Sequence, residues 1–246
     1  MVFVWILVSR TYDILIYYGV NLIFVYYRTM EVSIVIPTYN RKRFSKLISL
    51  NITKQTYPFI KEVIVADDGD DDERLQLDVK YSLLYYKTNR MSIGDKRNFL
   101  NSKATGDFIC HMDTDDMYHP EYISTSIINL IKSGKSVSGS ADMNMYSLSE
   151  KKTYSQSCIY ITHLNEATMV YRKSFADKNK FAQSMSSEGL GFLKNSVNDI
   201  YETDIKMIMV CLAHDNNSVC KKIWCDPKYE TALDMTVYEN HFLSLY

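Results

Sequence analysis

The chain has 246 residues, 46% hydrophobic and 23% charged, with a formal net charge of -1. That gives room for one sizeable α/β domain with a real core, and the near-neutral charge, without a long basic run interleaved with aromatics, argues against a nucleic-acid partner. Five cysteines, an odd number with no CxxC pair, argue against a disulfide framework or a zinc ribbon and fit a reducing compartment.

Residues 1–29 open with MVFVWILV, are interrupted by Arg10 and Asp13, and run uncharged from Ile14 to Tyr27. As a helix the second run would reach roughly 20 Å, short of the ~30 Å hydrocarbon core. Neither a basic n-region nor a small-residue cleavage site marks a cleaved signal peptide. Three readings stand: a weak membrane anchor, an extra packed element, or an extension upstream of a working start at Met30.

From Met30 the pattern becomes regular. EVSIVIP (Glu31 to Pro37) reads as a first strand running into the turn PTYNR. Phe44, Leu47, Ile48 and Ile52 recur at helical spacing, and the helix ends before Tyr57-Pro58. KEVIVADDGD is a second strand ending in Asp67 and Asp68, and SLLYY a third. Gly94 and Asp95 open a second helix, with Asp95 the expected N-cap, and TGDFICHM is a fourth strand. Pro120 then starts a helix whose expected apolar stripe is Ile123, Ile127 and Ile131. VSGSA, ATMVYRK and KMIMVCLAH read as later strands, and SSEGLGFLKN as a loop entering a short helix. Residues 30–246 thus read as one domain, with 30–135 and 136–246 as its two halves. Alternating strands and helices predict a three-layer α/β/α fold with a mostly parallel central sheet, whose ligands sit beyond the carboxyl ends of the strands.

Those ends carry PTYN, DDGD and DTDD. Asp113, Asp115 and Asp116 are like charges crowded after an apolar strand, which a hard divalent cation would relieve. Such sites take one or two carboxylates and draw their remaining ligands from phosphates and water. Asp67 and Asp68 offer acceptors for a base N–H or ribose hydroxyls, or simply an Asx turn. Set against this is the bland reading of an aspartate cluster that caps the next helix and faces water.

VSIVIPTYNR, KEVIVADDGD and SIGDKRNFLNSKATGDFICHMDTDDMYHPEY together resemble the nucleotide-sugar half of glycosyltransferase family 2, a Rossmann-like GT-A fold, strongly over residues 31 to about 135. KRNFL followed by MDxDD is also similar to variants in large DNA viruses, which implies a host-cytoplasmic enzyme. The resemblance implies an inverting, metal-dependent transferase that uses Mn²⁺ or Mg²⁺, a nucleotide-sugar donor, with UDP as the expected nucleotide, and a glycan or glycoprotein acceptor. It places Pro37, Thr38 and Tyr39 beside the nucleotide, Asp68 with Asp67 at the base, Arg97 near the donor, Asp115 on the metal, and Asp113 on the metal, ribose or sugar. His214, ending a strand in LAHDNN, is the expected further metal ligand. Glu188 in SSEGLGFL is the expected base, with Gly189 standing where the family often has a second acid. Asp177 and Glu166 are further acids without that context. The added Asp70, Asp71 and Asp72 are expected only to solvate the turn, and His111 and His119 to be structural.

Two rivals remain at this level. A haloacid-dehalogenase-type phosphatase also uses DxD, but Met117 stands where it needs Thr or Val. A nucleotide-sugar or glycan binding module without a working base would keep the crevice and lose turnover.

Overall fold

The computed structural model describes residues 6–8, 14–18, 21–25, 30–215, 217 and 221–239. At the N-terminus β1 (Ile6–Val8), β2 (Ile14–Tyr18) and β3 (Asn21–Val25) pair antiparallel in that order, so the uncharged run forms strands. The rest of 1–29, and with it the choice between anchor and extension, lies outside the described residues. Among the described residues no helix is long and apolar enough to cross a membrane.

The domain continues with β4 (Val32–Thr38), α1 (Ser45–Thr53), β5 (Ile60–Asp67), β6 (Ser82–Lys87), α2 (Ile93–Lys103), β7 (Phe108–His111), β8 (Asp116–Tyr118) and α3 (Tyr122–Ser133). Then come β9 (Val137–Gly139), β10 (Met143–Ser147), β11 (Lys152–Gln156), β12 (Val170–Arg172), α4 (Lys173–Lys178), α5 (Gly189–Leu193), β13 (Ile200–Glu202), β14 (Met209–Ala213) and α6 (Thr236–Glu239).

Seven strands form the central sheet in the order β13-β9-β12-β7-β4-β5-β6. Only β12 runs antiparallel to its neighbours; the other four pairings are parallel. Side chains of a strand alternate between faces, and β4 shows what that does here. Ile34 and Ile36 join Ile48 and Ile52 of α1 and Ile123, Ile127 and Leu130 of α3, whereas Val35 faces Leu100 of α2 with Phe175 and Phe192 beyond. Both faces of the sheet are therefore covered, which is why β4 and β5 read as unbroken apolar runs. A smaller sheet, β11-β10-β14-β8, packs beside the first, with β14 pairing antiparallel to β8 at Met209↔Tyr118, Val210↔Met117 and Cys211↔Asp116.

Two local expectations are corrected. The N-cap of α2 is Ser92, whose Oγ accepts the Asp95 N–H at 3.1 Å and donates to Asp95 Oδ2 at 2.7 Å, so Asp95 is the partner of the cap and not the cap itself. In α3 the stripe closes on Leu130, while Ile131 is 48% exposed: the extra residue carries it past the edge of the buried face. α3 stops at Gly134, whose φ of 69° supplies the left-handed C-cap.

Candidate functional site

Because β4, β5 and β7 are parallel, their carboxyl ends open on one edge of the sheet. There the ends of β4 and β7 line a cavity of about 750 Å³, within the ~300–1,000 Å³ usual for small-molecule sites, and the end of β5 stands behind it. Pro37, Thr38 and Tyr39 from β4, Asp113, Thr114, Asp115 and Asp116 after β7, and Glu188 before α5 all reach this one space.

One wall is built on Asp68. Its carboxylate is buried and held by Lys96 Nζ, by Arg90 Nη1 at 3.0 Å and by the Met91 N–H at 3.1 Å. Burial pushes this carboxyl up, but the Lys96 bond, the Met91 amide and the two cations outweigh it and hold it below the ordinary value. Lys96 Nζ also donates to the Thr38 carbonyl at 2.8 Å, tying α2 to the end of β4. Arg90 lies over the Tyr39 ring, 3.7 Å from its centroid. Asp68 itself is behind the cavity surface, and Lys96, Arg90 and Met91 form that surface in front of it. Asp67 is placed differently: Oδ1 accepts the Gly69 N–H at 2.9 Å and Oδ2 accepts from the Tyr85 hydroxyl, so its carboxylate closes the Asx turn and stays outside the cavity lining. The added acids do more than meet water. Asp70 exchanges bonds with Asn40, at 2.7 and 2.9 Å, and Asp71 pairs with Lys87 at 2.9 Å.

The second wall holds the aspartate cluster. Asp115 Oδ2 lies 3.1 Å from His214 Nε2 and 3.5 Å from Arg41 Nη2. Burial alone would raise its pKa, but His214, Lys221 and Arg41 hold the group well below the usual carboxylate range. Asp116 Oδ1 accepts from Lys221 Nζ at 2.8 Å and from the Leu212 N–H at 3.1 Å, which joins β8 to β14. Lys221 is kept protonated against its own burial by Asp116 and Asp115. For Asp113, burial and repulsion from Asp115 push the carboxyl up against the pull of Arg97.

Between Glu188 and Asp113 stands Arg97, buried in the second turn of α2. Nε donates to Glu188 Oε1 at 2.8 Å, Nη1 lies 2.6 Å from His111 Nδ1, and Nη2 reaches Asp113 Oδ1 at 3.4 Å. A guanidinium only donates, so His111 Nδ1 accepts and its Nε2–H donates to the Tyr171 hydroxyl, which donates to Asn101 Oδ1 at 2.7 Å. Burial and the Arg97 charge keep this imidazole neutral. His111 therefore orients Arg97, and His119 accepts the Glu121 N–H at 3.1 Å; both act structurally.

Glu188 follows Ser187, whose φ of 54° is left-handed. Its loop is locked to α2 at Gly94, where a Cβ would fall 1.7 Å from the Ala182 carbonyl oxygen. Glu166 lines the cavity beside Glu188 and accepts the Gly189 N–H at 2.8 Å. Asp177 pairs with Lys173 on the exposed face of α4, away from the cavity.

Comparison with known proteins decides the family. The model described as Glycosyl transferase family 2 matches residues 33–188, more than half of the chain. The chain belongs to glycosyltransferase family 2. It is similar to poly(ribitol-phosphate) beta-N-acetylglucosaminyltransferase TarS of Staphylococcus aureus, 31% identical over 99 residues that make up 37% of this chain and 17% of TarS. It is also similar to the UDP-Glc:alpha-D-GlcNAc-diphosphoundecaprenol beta-1,3-glucosyltransferase WfgD of Escherichia coli, 29% identical over 104 residues, 41% of each chain. This family 2 chain thus matches less than two thirds of the length of either relative.

Among solved structures, S. aureus TarS 1–349 in complex with UDP-GlcNAc superimposes with a TM-score of 0.57 at 20% identity, covering 77% of this chain and 60% of that one. Glucosyl-3-phosphoglycerate synthase from Mycobacterium tuberculosis, with Mn²⁺, UDP and glucosyl-3-phosphoglycerate, gives 0.52 at 15% identity, covering 71% and 69%. These likenesses show the fold, GT-A.

The sequence alone did not point to Lys96, Arg90, Arg41 or Lys221, which supply the cations of both walls. The KRN run carried a signal for Lys96, since it precedes Arg97; the others had none.

Proposed function

We propose that the chain moves a sugar from a nucleoside-diphosphate sugar, UDP-linked, to a hydroxyl of a glycan or glycoprotein acceptor, with inversion at the anomeric carbon. The observation that carries this reading is the single cavity that joins Tyr39 and Arg90, the Asp113–Asp115 cluster, and Glu188. Family membership and the UDP-bound and UDP-GlcNAc-bound structural neighbours support the donor class.

Tyr39, under Arg90, is the platform for the base. Lys96 holds Asp68 and the Thr38 carbonyl in place behind it, so the donor's nucleoside meets a prearranged surface. The residues near Asp115 fit a divalent cation in part. His214 Nε2 and Asp115 Oδ2 stand 3.1 Å apart, close to the edge of an octahedron with bonds of about 2.1 Å. Among the described residues no three His, Cys, Asp or Glu side chains gather to hold a metal alone, so a donor diphosphate and water would complete the set. Arg43 Nη2, 3.2 Å from His214 Nδ1, donates to it and leaves the ring proton on Nε2 facing Asp115, so the ring would have to give up the Arg43 bond to hold a metal through Nε2. Mn²⁺ or Mg²⁺ held by Asp115 with either Asp113 or His214, and by the donor's phosphate oxygens and water, would neutralise the charge that develops on the departing diphosphate. Arg41 and Lys221 add fixed positive charge on the same side. The acidic wall anchored by Glu188 takes the acceptor proton, and Arg97 spaces that wall from Asp113 by the width of one guanidinium.

The test is a thermal-shift panel of UDP-GlcNAc, UDP-Glc and GDP-Man with and without Mn²⁺, followed by UDP or GDP release. Metal-dependent stabilisation with release supports transfer. Stabilisation without release would favour a binding module, and no response to any donor would refute the reading.

A further inference from the structure

The space next to the α5 backbone at Gly189 is already filled by a carboxylate. A Cβ built on Gly189 would lie 2.8 Å from Glu166 Oε1 and 3.1 Å from its Cδ, and the Gly189 N–H donates to that same Oε1 at 2.8 Å. An acid carried by residue 189 would put its carboxyl where Glu166, 23 residues away and from a different segment, already puts its own. Gly189 has no left-handed φ, so its lack of a side chain serves this contact and not a turn.

Two carboxylates therefore meet at this end of the cavity, and Arg97 treats them unequally. Glu188 is 3% exposed and its Oε1 accepts the short Arg97 Nε–H, so a charge-assisted bond fixes this carboxylate in place. Glu166 is less enclosed, lines the cavity, and is held by an uncharged amide. Burial and repulsion from Glu188 push the Glu166 carboxyl up, against the pull of Arg97, which suits a group that takes up a proton.

We infer that Glu166 is the catalytic base of this site, with Glu188 fixed by Arg97 as the positioning residue beside it. The inference rests on the transferase reading above and moves the proton from Glu188 to its neighbour. In the step, the acceptor oxygen forms a bond to the anomeric carbon as its proton passes to Glu166. The bond from that carbon to the donor's β-phosphate oxygen breaks, and its electron pair leaves with the nucleoside diphosphate.

The experiment measures nucleotide release from UDP-GlcNAc, UDP-Glc and GDP-Man with Mn²⁺, using water as acceptor, together with UDP affinity by thermal shift. Glu166→Gln is expected to lower kcat at least ~100-fold, as loss of a general base does, with UDP affinity unchanged. Glu166→Ala combined with Gly189→Asp returns a carboxyl to the same space and is expected to recover at least ~10-fold over Glu166→Ala alone. Simple structural damage would weaken UDP affinity and show no such rescue. Wild-type release with a Glu166→Gln rate within about threefold, or loss confined to Glu188→Gln, overturns the assignment. No release by the wild type from any of the three donors overturns the transferase reading itself, and this inference with it.

Discussion

Replacing Arg97 tests the centre of the site most directly. Arg97→Ala leaves Glu188, whose side chain is 4% exposed, without its counter-charge. Breaking a buried pair from one side costs about 3–5 kcal/mol. At ~2–4 °C per kcal/mol for a domain of this size, Tm should fall by roughly 6–20 °C. Arg97→Lys separates charge from shape. One ammonium cannot reach Glu188, His111 and Asp113, which the guanidinium meets through Nε, Nη1 and Nη2. If it keeps Glu188 it gives up the His111 bond, and a hydrogen bond to a charged group is worth ~1.5–3 kcal/mol. The contact to Asp113 adds little, since it is 3.4 Å long and that carboxylate is 30% exposed. Thermal melts at neutral pH should therefore order the proteins wild type, then Lys, then Ala, with Lys lower than wild type by roughly 3–12 °C. An Ala variant that melts within 2 °C of wild type would refute the claim that Arg97 ties Glu188 to His111 and Asp113.

Other substitutions probe the walls separately. Gly94→Ala puts a methyl 1.7 Å from a backbone oxygen, which cannot yield as a side chain would, so the 181–188 loop must move; a lower Tm together with lost turnover is expected. Asp115→Asn should cut turnover by at least ~100-fold at saturating donor and metal, while Thr38→Ala, whose bonds to Lys96 and Asp68 run through the backbone carbonyl, should change it little. Asp68 has a folded pKa below its ordinary 3.8, so its contribution is fully present above that value and is lost as pH falls through the folded one. The Tm gap between wild type and Asp68→Asn should accordingly narrow in melts below about pH 4, and a constant gap would count against the buried pair.

What could be read from the chain follows from how local each signal is. β4, β5 and β7 announced themselves because both faces of the sheet are covered, and the aspartates stood out because they follow those runs directly. β8 and β13 are three residues long, and β10 and β11 carry MNMYS and KTYSQ, with no apolar alternation to betray them; pairing across the chain creates them. The same holds for the site's cations. Lys96 meets Asp68 across 28 residues and Lys221 meets Asp116 across 105, distances over which no spacing rule operates. Glu166 belongs to this class, since nothing near it in sequence marks it, and only the gap at Gly189 shows where its carboxyl goes.

The pairing of β14 with β8 fixes more than a strand edge. Cys211 sits opposite Asp116, and from that alignment His214 arrives at Asp115 three residues farther along. Strand side chains reverse face with every step, so a slip of a single position would turn Asp116 away from Lys221 and carry the imidazole off its carboxylate. Loops between Tyr118 and Met209 can lengthen without moving this alignment, but within either strand the tolerated count is zero.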